Sequence, residues 1–347
     1  MQNPTETFPQ IPPVPPNPPG KPPRRRWSAP QKILLTLLFL GAIAVFAGYG
    51  FLSYTEGKID RIEASELTAL DTAPVAKGES INFLIVGVDD RSSIPDDWED
   101  AFGEFRGRRT DVMMIAHLTP ESGIQLLSIP RDLRADIEGH GINRVNASYV
   151  IGGANLLVDT IQHEVGIPIH HYVEIDFAGV GAVVDSLGGV TLDFNYAGRD
   201  AKSGFSIEPG RRTLNGEQAV AYARSRTYQI FKNGEWESTG GGDLSRTGRQ
   251  QEILIALFSQ VTSPSSAFNL PSFLPTFADQ ITADEGLTLA LMANLGREVL
   301  SMDSRGIDAL TLPVKYEQGA DGRSYVVPID ATRTVIDAFM AGSPLAP

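Results

Sequence analysis

The sequence predicts an α/β fold in which a central mixed sheet lies between helix layers. Predicted strands and helices alternate from about residue 80 to residue 342 without a second linker, which is typical of a single α/β domain. The first strand, residues 81–88, is a continuous apolar run, as expected for a strand buried on both faces. The chain has 347 residues, of which 42% are hydrophobic, so it can bury a substantial core.

The later elements continue the alternation. Two strands joined by a hairpin-type turn are predicted next, because two apolar runs flank a short polar segment. These strands cover residues 112–118 and 124–129. Helical periodicity and short apolar runs then alternate, which predicts helices over 146–165, 178–187, 287–300 and 331–340 and strands over 171–177, 190–194, 308–312 and 324–327.

The residues before this domain indicate a single membrane anchor. Residues 1–32 are rich in proline and are expected to form a disordered tail. Residues 33–54 contain no charged side chain and are long enough to cross a bilayer as a helix, although a cleaved signal peptide is the alternative. Basic residues precede this run, so the tail is expected in the cytoplasm of a bacterial cell. A juxtamembrane linker, residues 55–79, and the domain, residues 80–342, are then expected outside.

Composition excludes several classes of function. The net charge of −13 disfavours bulk attraction to nucleic acid. The chain contains no cysteine, so it has no disulfide, no thiol chemistry and no cysteine-ligated metal. In such an acidic protein, arginines that are concentrated in a few motifs are informative.

One arginine-rich motif follows a short predicted helix. Asn215 and Gln218 have the spacing of a capping box, which predicts a helix that starts there and ends near Ala223. Arg224 and Arg226 follow two residues apart, so in an extended chain both side chains point to one side.

A second predicted helix starts near Asp243 and carries an apolar stripe at helical spacing. Extended towards the N-terminus, this stripe passes through Arg246, Arg249 and Gln250. Arginines on the inward face at the positive end of a helix favour binding of an anion. The alternative is a solvated, salt-bridged face.

Further charged residues follow predicted strands. Asp89 and Arg91 come after the first strand, Arg131 follows a later one, and Asp111 enters another from a predicted turn at residues 108–111. Open α/β sheets place their sites at such strand ends. Arginine gives bidentate donors to phosphate, and two carboxylates with phosphate oxygens suit Mg²⁺. These residues predict a phosphoryl-transfer site. Because no P-loop or kinase motif is present, the phosphate donor is not expected to be ATP.

Eight motifs, in this order, closely resemble the LytR-CpsA-Psr family over roughly residues 80–330. They are Gly87-x-Asp89-x-Arg91, Arg109-Thr110-Asp111-Val112-Met113-Met114, Leu127-Ser128-Ile129-Pro130-Arg131-Asp132, Arg144-Val145-Asn146-Ala147-Ser148-Tyr149, Asp185-Ser186-Leu187-Gly188-Gly189-Val190, Leu214-Asn215-Gly216-Glu217-Gln218-Ala219, Tyr222-Ala223-Arg224-x-Arg226 and Asp243-x-x-Arg246-x-x-Arg249-Gln250.

The resemblance implies a membrane-anchored phosphotransferase. Members of that family move an anionic glycopolymer from a polyprenyl-pyrophosphate carrier to a hydroxyl of peptidoglycan, with Mg²⁺. For this chain the resemblance implies that Asp89 and Asp111 hold Mg²⁺ and that Gln250 lies beside the pyrophosphate. It gives Arg91 and Arg249 a supporting role. The residues implied to bind the pyrophosphate are Arg131, Arg224, Arg226 and Arg246.

Two segments depart from the family pattern and are expected to be loops that flank the site. Residues 92–107 contain Trp98, and residues 227–242 contain Trp236. Each indole is interpreted either as a platform for a sugar ring or as a side chain packed under its own loop.

Other function classes remain as alternatives. The same site with water as the acceptor would make a hydrolase of polyprenyl or nucleotide pyrophosphates. A non-enzymatic lipid-phosphate-binding regulator is disfavoured, since binding an anion does not need carboxylates beside it. A DNA-binding regulator has the weakest support, because the chain is acidic and has no recognition motif.

Overall fold

A computed structural model of the chain describes residues 50–73, 79–89, 109–119, 123–240, 242–261, 270–292, 294–295 and 307–345. The described residues from Phe51 onwards form one compact unit. The predicted tail and most of the predicted membrane segment lie outside the described residues, as do Arg91 and Trp98. Within the described part, every helix is too short or too polar to span a membrane.

A seven-stranded mixed sheet forms the centre of this unit. Its strands are β1 (Asp60–Ile62), β2 (Ile81–Asp89), β3 (Arg109–Thr119), β4 (Gly123–Ser128), β7 (His171–Asp176), β14 (Ile281–Asp284) and β15 (Asp308–Thr311). They are ordered β1-β14-β7-β2-β3-β4-β15. The pairs β1/β14, β2/β7 and β4/β15 are parallel, and the other three pairs are antiparallel.

Helices cover both faces of the central sheet. They are α1 (Val145–Val165), α2 (Phe177–Ser186), α3 (Gly216–Arg224), α4 (Gly242–Val261), α5 (Leu270–Asp279) and α6 (Asp330–Met340). Leu84 of β2 belongs to a core cluster with Leu157 of α1 and Phe339 of α6. Phe83, the preceding residue, belongs to a different cluster with Ala278 of α5. Because successive side chains of a strand point to opposite faces, this division confirms the predicted arrangement of helices on both sides of a mixed sheet.

Smaller antiparallel sheets surround the central one. Three are two-stranded, namely β5 (Arg134–Ile137) with β6 (Gly141–Arg144), β8 (Val190–Phe194) with β11 (Gly210–Leu214), and β16 (Val314–Gln318) with β17 (Ser324–Pro328). The fourth, called the small sheet below, has the order β10-β9-β12-β13. Its strands are β9 (Gly198–Asp200), β10 (Phe205–Ile207), β12 (Gln229–Lys232) and β13 (Glu235–Ser238).

Two sequence predictions of irregular structure were wrong. Residues 109–111, predicted as part of a turn, belong to β3, because β2 extends to Asp89 and pairs with Arg109 and Thr110. Most of residues 227–242, predicted as a loop, form the β12–β13 hairpin. Asn233 and Gly234 connect its strands with φ of 53° and 88°, and Asn-Gly is a strong signal for a two-residue hairpin turn.

The segment expected to be a juxtamembrane linker also contributes to the fold. Residues 60–62 form β1, which pairs in parallel with β14, and Leu67 is buried in the main core. A three-residue strand has too short a pattern to be read from the sequence, and its partner lies more than two hundred residues away along the chain. The predicted helix over 146–165 is present, but Gly152 and Gly153 interrupt it with non-helical backbone angles.

Candidate active site

Strand ends from the central sheet meet at one place. Since β2 is parallel to β7 and antiparallel to β3, and β3 is antiparallel to β4, the ends of β2, β4 and β7 lie beside the start of β3. Asp89 ends β2, Asp176 ends β7, and Arg131 follows the end of β4. The structure therefore brings the predicted strand-end residues Asp89 and Arg131 to one end of the sheet, which we call the site end.

A β-bulge places Asp111 at the site end. Gly87 pairs with Val112 whereas Val88 pairs with Thr110, so Asp111 is the extra residue of β3. Bulges commonly redirect a side chain next to an active site. A glycine is needed opposite the bulge, because a Cβ at Gly87 would lie 2.8 Å from the Cβ of Val112. The structure describes the backbone of both aspartates at this end.

Helices α3 and α4 pack directly above the bulge. Val220 of α3 and Leu254 of α4 both pack against Val112 and Met114 of β3. The predicted capping box at the start of α3 is present, and this helix ends at Arg224. This packing therefore places the C-terminal end of α3 and the N-terminal half of α4 at the site end.

Arg246, Arg249 and Gln250 form a buried polar stripe on α4. Their exposed fractions are 3%, 5% and 4%, which confirms the predicted inward register and rejects the alternative of a solvated face. One residue later, Gln251 fixes the helix to the end of β4, since its Nε2 donates a hydrogen bond of 2.7 Å to Ser128 Oγ. A buried cation is costly unless other groups stabilise it, so this stripe has a specific role.

Protein groups hold the guanidinium of Arg249. Its Nη1 donates to Ser245 Oγ at 3.0 Å, and its Nη2 donates to the backbone carbonyl of Ser225. The same guanidinium lies 5.3 Å from the centre of the Tyr228 ring. Burial lowers the pKa of Arg249 below its ordinary value. These contacts fit the supporting role that the resemblance implies, because Arg249 holds the backbone between Arg224 and Arg226.

Asp200 holds the same segment from the small sheet. This carboxylate is buried and accepts hydrogen bonds from Ser225 Oγ at 2.5 Å and from both the N–H and the Oγ1 of Thr227 at 2.8 Å. Burial raises the pKa of Asp200, but these hydrogen bonds outweigh it and keep that pKa well below its usual range. Sequence reasoning missed Asp200, because an isolated aspartate in a short strand gives no local signal.

Arg224 and Arg226 flank this fixed point. Ser225 is fully buried, whereas Arg224 is half-buried and Arg226 is exposed. Ser225 itself has an extended ψ of 127°. The alternation predicted from the two-residue spacing is therefore present, with the middle side chain directed into the protein.

Arg131 lies next to an ion pair. Asp132 Oδ1 lies 3.2 Å from Arg144 Nη1, and Asp132 Oδ2 lies 3.8 Å from Arg131 Nε. The backbone carbonyl of Arg131 also accepts a hydrogen bond of 3.3 Å from the N–H of Asn146 at the start of α1. Asp132 therefore helps to orient Arg131.

The two aspartates that the resemblance implies as Mg²⁺ ligands lie on adjacent strands. Among the described side chains there is no group of three or more His, Asp or Glu residues that could hold a metal ion. Asp89 is the last residue of β2 and Asp111 is the bulged third residue of β3, and the side chains of both are outside that set. Mg²⁺ is usually bound by one or two carboxylates together with substrate phosphates, so two aspartates beside arginines fit it.

The fold and the site define an α/β protein that collects aspartate and arginine residues at one end of its central sheet. Comparison with known proteins agrees with this class. The model of the LytR_cpsA_psr family matches residues 45–338. The chain belongs to the LytR-CpsA-Psr family.

Individual relatives have names that concern the cell wall. The chain is 30% identical over 291 residues to the "Probable cell wall biosynthesis protein LcpB" of Corynebacterium glutamicum, a match that covers 82% of this chain but only 66% of that protein. It is 32% identical over 270 residues to the "Polyisoprenyl-teichoic acid--peptidoglycan teichoic acid transferase TagU" of Halalkalibacterium halodurans, covering 73% and 80%. The solved structure of a "LytR-Csp2A-Psr enzyme from Actinomyces oris" superposes with a TM-score of 0.64 at 25% identity, covering 81% and 96%.

Proposed function

We propose that this protein transfers an anionic glycopolymer from a polyprenyl-pyrophosphate carrier to a hydroxyl of peptidoglycan. The observation that carries the proposal is the stripe of Arg246, Arg249 and Gln250, buried beside strand ends that bear Asp89 and Asp111. Buried arginines suit the phosphate oxygens of a pyrophosphate, and nearby carboxylates suit a divalent cation bound to those oxygens. The name of the Halalkalibacterium relative, a teichoic acid transferase, supports the same class of reaction.

The reaction exchanges a phosphoanhydride bond for a phosphoester bond. The acceptor oxygen forms a bond to the phosphorus that bears the glycopolymer, and the bridging P–O bond of the pyrophosphate breaks. The products are a phosphodiester link and polyprenyl phosphate. The proton of the acceptor hydroxyl passes to a carboxylate of the site end, for which Asp89 is our candidate.

The side chains of the site have separate tasks in this proposal. Arg131, Arg224, Arg226 and Arg246 bind the pyrophosphate oxygens and stabilise the charge that develops on the leaving phosphate. Arg249 and Asp200 keep Arg224 and Arg226 in position. Asp89 and Asp111 would hold Mg²⁺, which when bound supplies charge neutralisation at the phosphate oxygens. Direct titration of Mg²⁺ into the protein, with Asp111→Ala as the comparison, tests that assignment without any turnover.

Product identification tests the function. Purified protein is incubated with a polyprenyl-pyrophosphate-linked glycopolymer and peptidoglycan, with and without Mg²⁺, and the products are analysed by mass spectrometry. The expected product is a glycopolymer joined to peptidoglycan through a phosphodiester, formed only with the metal. Release of free glycopolymer phosphate alone would identify the hydrolase, and binding without any product would identify the non-enzymatic regulator.

The location of the reaction is part of the proposal. The uncharged run of residues 33–54 and the basic residues before it support a single anchor with the domain outside the cytoplasm. A reporter enzyme that is active only outside the cytoplasm, fused after Pro347, is expected to be active. A fusion that is active only with a cytoplasmic reporter would contradict this topology.

A further inference from the structure

The small sheet has one buried face and one face towards solvent. Asp200 and Phe205 on its strands, and Tyr228 directly before β12, are buried in the protein. Cross-strand partners share a face, and the register pairs Phe231 with Trp236 and Gln229 with Arg199. Since residues two apart on a strand also share a face, these last four residues lie together on the opposite side. They define the outer face, which consists of Arg199, Gln229, Phe231 and Trp236.

The guanidinium of Arg199 is held in a fixed orientation on the outer face. Its central carbon lies 4.0 Å from the centre of the Trp236 ring, so the cation stacks on the indole. Its Nε donates a hydrogen bond of 3.0 Å to Gln229 Oε1. The indole covers one face of the guanidinium, and Gln229 accepts from its Nε. The two Nη atoms, at the far end of the guanidinium, are not used by these two contacts.

Arg199 also differs from two other surface arginines, Arg333 and Arg323, in its charge environment. Arg333 lies 3.0 Å from the carboxylate of Asp337, and Arg323 lies 3.8 Å from that of Asp321. In the described part of the chain, no carboxylate lies within ion-pair distance of Arg199. An exposed guanidinium that is already oriented and has no acidic partner is well suited to bind a phosphate or a carboxylate of a ligand.

An exposed apolar surface adjoins this cation. The Phe231 ring, 43% exposed, lies 5.3 Å from the half-buried Trp236 ring, measured between centroids. The nearby Gln229 side chain adds a planar polar group. A cluster of exposed aromatic side chains on a soluble surface indicates a ligand contact, and flat apolar rings beside polar groups suit the faces of sugar rings.

The outer face lies within a short distance of the arginines of the site. Arg199 directly precedes the buried Asp200. Asp200 accepts hydrogen bonds from Ser225, which lies between Arg224 and Arg226, and from Thr227, which follows Arg226. Gln229 follows Arg226 by three residues, so the chain separates them by about 10 Å at most. A ligand that binds the arginines through its pyrophosphate therefore needs to extend only a short way to reach the outer face.

We propose that the outer face binds a sugar-containing repeat unit of an acidic glycopolymer, with Arg199 on its phosphate or carboxylate and Phe231 and Trp236 against its sugar ring. The inference rests on the proposed function, because it assigns the part of the donor substrate beyond the pyrophosphate. It replaces the interpretation of Trp236 as a bare indole platform, since Arg199 covers one indole face.

Binding of a lipid-free polymer tests this assignment without any turnover. The probe is a glycosylated poly(glycerol phosphate) oligomer, titrated into the full-length protein in detergent by calorimetry. Arg199→Gln and Trp236→Ala are each expected to raise its Kd roughly tenfold, as for the loss of one charge-assisted hydrogen bond or one stacked ring. Arg333→Gln and Tyr316→Ala, which alter exposed residues elsewhere, are expected to leave the Kd unchanged.

The controls separate this inference from folding and from the proposed function. Arg199→Gln should keep the melting temperature of the wild type, so it stays informative if Trp236→Ala unfolds. An unchanged Kd in Arg199→Gln, or equal binding of neutral dextran, would overturn the assignment. The product assay with a donor that carries a single repeat unit tests the function separately. If the short donor supports transfer while Arg199→Gln and Trp236→Ala bind the polymer normally, the proposed function is retained and the assignment of the outer face is wrong.

Discussion

The central sheet and the small sheet present their side chains in different ways. The central sheet is buried on both faces, and its polar residues of interest lie at the ends of β2, β3 and β4. The small sheet buries only its inner face, and Arg199, Gln229, Phe231 and Trp236 lie across the outer one. A sheet covered on both sides offers only its ends for chemistry, whereas a sheet covered on one side offers a flat area.

This difference separates two tasks that one substrate requires. In our proposal the pyrophosphate reacts at the site end of the central sheet, and the polymer attached to it lies along the small sheet. Asp200 and Arg249 connect the two regions through Ser225. Asp200 accepts a hydrogen bond from the Ser225 hydroxyl, and Arg249 donates one to the Ser225 backbone carbonyl. Substitutions at the site end should therefore affect the chemical step, and substitutions in the small sheet should affect binding.

The largest effect is expected at the two strand-end aspartates. Asp89→Ala and Asp111→Ala should each abolish transfer, because a lost metal ligand removes several kcal/mol of charge stabilisation, roughly a thousand-fold or more in rate. Turnover is measured by product formation, Mg²⁺ affinity by calorimetry and folding by circular dichroism. Asp337→Ala, at an exposed site on α6, is the matched control. A near wild-type rate with normal metal dependence in either variant would show that the metal assignment is wrong.

The arginines should show the next largest effect. Arg131→Lys, Arg224→Lys, Arg226→Lys and Arg246→Lys each keep the charge but lose the bidentate donor pair. Loss of one charge-assisted hydrogen bond in a desolvated site removes about 1.5–3 kcal/mol, roughly ten- to a hundred-fold in kcat/KM. Arg333→Lys should be silent, since that side chain is 77% exposed on α6. Unchanged kinetics across the four variants would identify them as structural ion-pair partners.

A smaller effect is expected at the connection between the regions. Asp200→Asn removes the negative charge that organises Ser225 and Thr227. Because the arginines on either side then lose their fixed position, KM should rise about tenfold while kcat changes less. Steady-state kinetics and the melting temperature are measured together, with Ser225→Ala as a milder variant. A lowered melting temperature with unchanged kcat/KM would show that Asp200 serves only the fold.

The opposite end of the central sheet should affect stability alone. His117 is fully buried, and its Nδ1 lies 2.6 Å from Asn82 Oδ1. Burial lowers the pKa of His117 to about 4, and nearby His170 adds to the shift. The unfolded chain takes up this proton near pH 6.5, so the stability from neutral His117 is fully present above that pH and is lost as pH falls towards 4.

The expected loss is about 3 kcal/mol of unfolding free energy. It is measured by urea denaturation at several pH values between 8 and 4. His117→Gln should flatten this part of the profile, whereas substitution of the exposed His163 should not. An identical profile for His117→Gln would mean that other groups cause the pH dependence.

The sequence predicted the large elements and the inward register of α4 because both depend on local patterns. The capping box at Asn215 and the stripe through Arg246 and Gln250 are readable from spacing alone. Asp200 was not predictable, since its partners Ser225 and Thr227 lie about 25 residues away and meet it only through strand pairing. The outer face was missed for a related reason: Asn233-Gly234 signals a hairpin, but the contact between Trp236 and Arg199 requires the neighbouring strand β9.

The most direct test of the transferase proposal uses ¹⁸O-labelled water. The protein, a polyprenyl-pyrophosphate-linked glycopolymer and peptidoglycan react in this water, and the phosphate oxygens of the products are examined by mass spectrometry. If a peptidoglycan hydroxyl attacks phosphorus, the glycopolymer joined to peptidoglycan carries no solvent ¹⁸O in its phosphodiester, and this product is absent with Asp89→Ala. Glycopolymer phosphate that carries solvent ¹⁸O, with no peptidoglycan-linked product, would contradict the proposal and identify the protein as a hydrolase.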